Sequence, residues 1–195
     1  MGGTRIWGYI DEQRIDLADF LDTLDPEQWE TPSLCQGWTV RHVAAHITQS
    51  ATNWGRLSVE LLRSGFDLNA MTLRFAGADR RTPLEITAAM RAMAGGRRRP
   101  PGTAVADPLM DVLVHGQDIA IPLGVERVMP VEPAVIAAER LWEMSFPFNA
   151  RKRFQNTAFT ATDADFSVGD GDVVRLPIQD IVLELSGRKA GRPAE

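Results

Sequence analysis

The sequence contains a single cysteine, Cys35, among 195 residues. One cysteine excludes an intrachain disulfide, which is consistent with a reducing compartment. The sequence also lacks an apolar run long enough to span a bilayer, and its first residues show no signal-peptide pattern. We therefore expect a cytoplasmic protein that makes no use of a membrane.

An excess of positive charge is absent too, because 26 acidic residues outnumber 21 basic ones and the formal net charge is -5. Proteins that bind nucleic acids over a broad surface are usually basic, so the charge does not support such a partner. The short run from Arg97 to Arg99 precedes two prolines and is typical of a solvated loop. We find no internal repeat and no glycine-rich phosphate loop. With 44% hydrophobic and 24% charged residues, the composition is that of a globular protein.

Apolar residues recur at helical spacing through most of the chain. The pattern predicts five helices in this part of the chain, at about residues 11–24, 40–64, 83–94, 107–121 and 133–145. Thr39 is a candidate N-cap for the second helix, with Trp38 and Val43 at the spacing of a hydrophobic staple. Thr82 and Glu85 form a capping-box pattern before the third helix, and an Asp-Pro pair precedes the fourth.

After Pro147 the pattern changes to short strands separated by turn residues, and a last helix begins at Pro177. Together these signals predict a mainly α fold. It consists of an up-and-down four-helix bundle over roughly residues 11–146, followed by a small strand-and-helix appendage. We divide the chain into a bundle, residues 1–150, and a C-terminal β-hairpin plus helix, residues 151–195.

Three polar side chains of the predicted helices are candidates for a site. At about 100° per residue, His46 lies roughly 60° from the centre of its apolar stripe and His42 roughly 100°, closer to solvent. Asp111 and His115 are one turn apart on one face of the fourth helix, and Asp118 shares that face. Such a pair either chelates a metal ion with His46 or makes ordinary buried hydrogen bonds, and the pattern alone leaves both possibilities open.

Three segments resemble signatures of one family, the maleylpyruvate isomerase-like, mycothiol-dependent proteins of the DinB-like superfamily. They are WETPSLCQGWTVRHVAAHI (residues 29–47), DVLVHGQDIAIPLG (residues 111–124) and the tail ATDADFSVGDGDVVRLPIQDIVLELSGR (residues 161–188). The resemblance implies a four-helix bundle with a divalent metal in its core. It also implies, for some members, a thiol-dependent transferase or isomerase activity.

The resemblance also implies roles for individual residues. The family's metal ligands fall on His46, Asp111 and His115, although the family often has a longer glutamate where this chain has Asp111. We expect these donors to converge about 2.0–2.2 Å from a common point where zinc would sit. Asp118 is expected to lie behind His115 and orient it. His42 stands where an acidic residue is common, so no ligand role is transferred to it.

Cys35 belongs to the recurrent Cys-x-Gly-Trp run of the first signature. Packing under Trp38 is preferred to a role as nucleophile or ligand.

Two functions remain open. The first is a metal-dependent transferase or isomerase that adds a low-molecular-weight thiol, mycothiol, to a small electrophilic substrate. The second is a non-catalytic metal-binding or regulatory bundle. The expected partners are small molecules, and the expected state is a monomer or a homodimer.

Overall fold

The fold is known from a computed structural model that describes residues 2–49, 78–99 and 102–189. Its helices are α1 (Gly2–Leu21), α2 (Pro26–Trp29), α3 (Val40–Gln49), α4 (Pro83–Ala92), α5 (Asp107–Ala120), α6 (Val131–Glu143), α7 (Ala150–Arg153) and α8 (Ile178–Leu185). Its strands are β1 (Thr157–Ala161), β2 (Ser167–Val168) and β3 (Asp172–Leu176). The predicted continuation of the second helix to residue 64 lies outside the described residues. Among the helices described, none is both long and apolar enough to cross a membrane.

Helix α5 lies at the centre of the bundle, where it packs against α1, α3 and α6. It contributes to both hydrophobic cores. Leu109 and Leu113 belong to the core shared with the C-terminal segment, and Val112 and Ile119 belong to the core shared with α3 and α4. The mainly helical architecture predicted from the sequence is confirmed.

Helix α1 is longer than expected, because it begins at Gly2 and not near Asp11. Trp7 and Ile10, three residues apart on one face, are buried against the core around Leu109. The first turns are therefore stabilised by tertiary packing, which their weak local pattern does not reveal.

The predicted start of the second helix is confirmed, since α3 begins at Val40 and Thr39 is the residue before it. Its cap differs from the expectation. The Thr39 N–H donates to Nδ1 of His42 at 3.1 Å, and the Thr39 hydroxyl lies 3.2 Å from the same atom. His42 thus occupies the position that glutamate or glutamine takes in a capping box. An acidic residue would also suit this position.

The predicted N-terminal cap of α4 is confirmed, whereas the predicted cap of α5 is wrong. At α4 the predicted capping box is confirmed, because Glu85 N–H donates to Thr82 Oγ1 and Thr82 N–H donates to Glu85 Oε2. At α5 the expected cap, Asp107, is instead the first helical residue. Its carboxylate accepts the Ala104 N–H at 2.8 Å and pairs with Arg140 of α6.

The C-terminal segment forms a sheet of order β2-β1-β3, in which β1 is antiparallel to β2 and parallel to β3. Helix α8 then packs against α6 and β1. Phe159 and Ile181 share one core with Trp7 and Ile10 of the first helix. Helix α8 ends at Gly187 (φ +84°), where the Gly187 N–H donates to Glu184 O and the Arg188 N–H to Leu183 O. This ending directs Arg188 back toward the bundle.

Candidate metal centre

The three predicted ligands lie together between α3 and α5. His46 Nε2 is 3.8 Å from Asp111 Oδ1, and His115 Nε2 is 3.4 Å from the same oxygen. All three donor atoms lie within 4.8 Å of one another. The neighbours Asp111 and His115 are one turn apart on α5, and the packing of α3 against α5 brings His46 to them.

The spacing of these donors suits a small divalent ion. Two ligands about 2.0–2.2 Å from a tetrahedral zinc ion are roughly 3.4 Å apart, which is close to the two distances to Asp111. The side chains are 24%, 25% and 16% exposed for His46, Asp111 and His115, so the cluster is accessible without being on the open surface. Two imidazoles and a carboxylate leave one tetrahedral position for a further ligand. Their role as metal ligands stays a prediction.

Asp118 lies behind His115 and is completely buried. Its Oδ2 accepts the Nδ1–H of His115 at 2.8 Å, leaving Nε2 of that ring directed toward Asp111. This is the arrangement expected of a carboxylate that orients a metal-binding histidine.

Arg188 was not predicted from the sequence to belong to the site. Arg188 holds Asp118 in a bidentate pair, with Nε 3.0 Å from Oδ1 and a terminal nitrogen 2.7 Å from Oδ2. The one available signal was its place at the end of the tail signature, directly after the helix-ending Gly187.

Cys35 makes polar contacts in addition to the packing that was expected of it. It does pack against the core that contains Trp38. However, its thiol also donates to Asp118 Oδ2 at 3.1 Å and lies 3.7 Å from His115 Nδ1. The preceding Leu34 N–H donates to the backbone oxygen of Asp118 at 3.1 Å. The Cys-x-Gly-Trp loop is thereby bonded to α5 directly behind the candidate ligands.

Without a metal, the electrostatic interactions within the site favour the charged forms of His115, Asp118 and Asp111. Burial alone would lower the pKa of His115, but hydrogen bonds with Asp118 and Cys35 and the charge of Asp111 outweigh it and raise the pKa to about 10. Burial alone would raise the pKa of Asp118, but His115 and Arg188 hold it well below its usual range. The pKa of Asp111 is also lowered against the effect of burial, chiefly by its interaction with the nearby ring of His46.

Aromatic packing holds His46 in place. Its ring meets the edge of Trp38 with centroids 5.3 Å apart, and it meets His115 in a similar T-shaped contact at 5.1 Å. His42 is occupied by the cap at Thr39 and does not belong to the cluster.

Residues 10–99 match the family model described as the mycothiol maleylpyruvate isomerase N-terminal domain. The whole chain resembles a crystal structure of the mycothiol-dependent maleylpyruvate isomerase, with a TM-score of 0.64 and 14% identity over 98% of this chain and 91% of that chain. A histidine-to-alanine mutant of that enzyme gives a TM-score of 0.62 and 14% identity over 96% and 90% of the two chains. Among curated proteins, none matches the chain.

The resemblance seen in the sequence is therefore confirmed in two ways: residues 10–99 match the model of the mycothiol maleylpyruvate isomerase N-terminal domain, and the chain shares the fold of that enzyme over nearly its full length.

Proposed function

We propose that this protein is a zinc-dependent, mycothiol-dependent transferase or isomerase that adds the thiol to a small electrophilic substrate. The observation that carries the proposal is the convergence of His46, Asp111 and His115 in a bundle with the fold of the isomerase. A buried Asp118 behind His115 supports it, because ligand histidines are usually oriented by such a carboxylate.

The residues of the cluster and their neighbours would have separate roles. His46, Asp111 and His115 would hold the ion, and the ion would supply a thiolate at neutral pH, because a metal-bound thiol loses its proton readily. Asp118 would hold His115 with Nε2 directed into the site, and Trp38 would restrict the ring of His46. Addition of the thiolate to an activated double bond would form a C–S bond and a stabilised carbanion. Protonation of the carbanion from solvent would give the conjugate, whereas rotation about the new single bond and elimination of the thiolate would give the isomer.

Thiol consumption tests this proposal. Zinc-loaded protein is mixed with mycothiol and a generic electrophile, and free thiol is followed against a protein-free background. We expect consumption above background for wild type and for His42→Ala, whose histidine lies outside the cluster. We expect His46→Ala and His115→Ala to lose both bound zinc, measured by elemental analysis, and activity. Equal zinc content in wild type and both cluster variants would show that the metal is bound elsewhere.

The second candidate function is a non-catalytic metal-binding or regulatory bundle, in which the extensive bonding of Asp118 serves to hold a structural ion. It replaces the first proposal if the protein binds zinc through these histidines but neither binds mycothiol at millimolar concentration nor consumes it. We also propose a cytoplasmic location, a monomer or homodimer, and a boundary near residue 150 between the bundle and the C-terminal segment.

A further inference from the structure

His115 belongs to two groups of potential metal ligands, one on each side of its ring. Among the residues that the structure describes, the donor atoms of Cys35, His115 and Asp118 also lie within 4.8 Å of one another, and we call them the sulfur group. The Nε2 atom of His115 faces Asp111 of the candidate metal centre, whereas its Nδ1 atom faces the sulfur group. A neutral imidazole has one acceptor nitrogen, so the two groups compete for this ring.

The sulfur group contains the softer donors. Thiolate and imidazole are good ligands for zinc, so the composition alone does not direct an ion away from this group. The sulfur is also held in place, because the Leu34 N–H next to Cys35 donates to the Asp118 backbone oxygen at 3.1 Å. That oxygen lacks its usual helical donor, since Pro122, four residues later, has no N–H. A sulfur from the chain is therefore always near the ring of His115.

The distances within the sulfur group are those of hydrogen bonds. Asp118 Oδ2 lies 2.8 Å from His115 Nδ1 and 3.1 Å from Cys35 Sγ. Around a tetrahedral zinc ion these two separations would be roughly 3.4 and 3.6 Å. The distances from Asp111 to the two histidines of the candidate metal centre, 3.4 and 3.8 Å, already leave room for an ion. An ion that entered the sulfur group would have to separate donors that are bonded to each other.

Arg188 opposes such an opening. Its guanidinium pairs with both oxygens of Asp118, at 3.0 and 2.7 Å, and a terminal nitrogen lies 3.9 Å from Cys35 Sγ. The Arg188 side chain is 17% exposed and that of Asp118 is fully buried, so solvent and salt screen the guanidinium charge only weakly. A divalent ion bound to Asp118 Oδ2 would lie at most about 5 Å from this charge, which would repel it.

We propose that Arg188 determines which of the two groups binds the ion. It excludes the ion from the sulfur group, so that His115 offers Nε2 to the candidate metal centre and Cys35 stays outside the coordination sphere. A sulfur ligand on the ion then has to come from an external thiol. Arg188 acts through Asp118 and is a positioning residue. The inference rests on the metal centre of the proposed function and does not depend on thiol-transfer activity.

Cobalt(II), a coloured substitute for zinc in tetrahedral sites, tests the proposal, because a cobalt–thiolate bond gives an intense charge-transfer band in the near ultraviolet. We expect wild type to bind cobalt without this band. Arg188→Met should bind cobalt with the band, and the additional change Cys35→Ser should abolish it. Arg188→Lys, which keeps the positive charge, should lack the band as wild type does. Arg153→Met is the matched control and should also lack it, since Arg153 bonds to carbonyl oxygens at the end of α8 and not to the sulfur group.

The affinity for cobalt measures the same choice of ligands independently. His46→Ala should weaken binding at least tenfold in the wild-type background. In the Arg188→Met background the same change should weaken binding less than about threefold, because the sulfur group does not use His46.

Three results would contradict these expectations. Wild type alone overturns the proposal if its cobalt complex shows a thiolate band that Cys35→Ser abolishes. The proposal is also wrong if Arg188→Met, shown by circular dichroism to be folded, lacks the band and responds to His46→Ala as wild type does. Both of these results leave the candidate metal centre intact. Wild type that binds no cobalt would instead overturn the metal centre itself, and the proposed function with it.

Discussion

At the scale of single residues, Asp118 is the group on which the candidate site most depends. It accepts hydrogen bonds from His115 of its own helix, Cys35 of the preceding loop and Arg188 of the C-terminal segment. Two of these partners are cationic when His115 is protonated. A buried carboxylate with two cationic partners can be stable only while all three remain together.

Replacing Asp118 by asparagine should therefore destabilise the protein by on the order of 2–4 kcal/mol, because Arg188 would lose its carboxylate partner and His115 would lose one of its two. Zinc affinity should fall about 10- to 100-fold through the loss of orientation of His115. Asp107→Asn, on the same helix but paired with the partly exposed Arg140, is the control and should leave zinc affinity unchanged. Urea unfolding and competition with a zinc chelator measure the two effects, and equal values for both variants would remove Asp118 from the site.

A second prediction concerns the protons of His115. The raised pKa, about 10, means that this ring is charged at pH 7 in metal-free protein, and a ligand imidazole must be neutral. Zinc binding at pH 7 should release about one proton from His115, and zinc affinity should increase with pH up to about 10. Calorimetry in buffers of different ionisation enthalpy counts the protons. A count of zero would mean that the ring is already neutral or that zinc binds elsewhere.

At the scale of elements, the starts of the helices show how local chemistry positions the site. Helix α3 begins at Val40 under a cap formed by Thr39 and His42, and this start places His46 beside Trp38. His42→Ala should cost about 0.5–1 kcal/mol through the lost acceptor. His42→Glu should restore the stability, because glutamate accepts the same N–H and suits the helix N-terminus. Thermal unfolding of the two variants side by side checks this, and a glutamate variant no more stable than the alanine variant would contradict it.

Hydrogen bonds centred on Asp79 join the connection before α4 to α3. Asp79 accepts from the backbone and the side chain of Arg81 and from Gln49, while Arg41 donates to the Asp79 backbone oxygen. The hydrogen bond with Arg81 is the main reason that the pKa of Asp79 is lowered to about 2, against the opposing effect of burial.

Because the folded pKa of Asp79 lies below the unfolded value of about 3.9, its contribution is complete above that pH and is lost as the pH falls toward 2. We expect a contribution on the order of 1 kcal/mol after allowance for solvent screening. Asp79→Asn should be less stable by this amount at pH 7, and the difference should vanish near pH 2. Urea unfolding as a function of pH measures the difference, and a pH-independent difference would mean that the charge of Asp79 plays no part.

At the scale of the whole molecule, the C-terminal segment and the bundle share a core. Ile181 of α8 is completely buried in the cluster that contains Trp7, Ile10 and Leu109. Arg188, three residues after the end of α8, reaches Asp118 behind the candidate ligands. Packing in the C-terminal segment is therefore physically connected to the centre of the bundle.

Ile181→Ala should cost about 2–5 kcal/mol through the lost burial and the remaining cavity. Helical circular dichroism and tryptophan fluorescence should still report one unfolding transition, because both parts use one core. Val173→Ala, at an exposed strand position, should change stability by less than about 0.5 kcal/mol. Two separate transitions in the isoleucine variant would favour two independently folding parts divided near residue 150.

The sequence by itself determined the helical architecture, the capping box at Thr82, the start of α3 and the pairing of Asp111 with His115. Each of these depends on residues within a few positions of one another, whose geometry a regular helix imposes. Only the tertiary structure decided that Trp7 extends the first helix and that Cys35 and Arg188 meet at Asp118. Cys35 and Arg188 are 83 and 70 residues from Asp118, and no local period carries information over such distances. Those contacts form because helix packing and a shared core bring remote segments together. They therefore depend on the free energy of the whole folded chain and not on any local pattern.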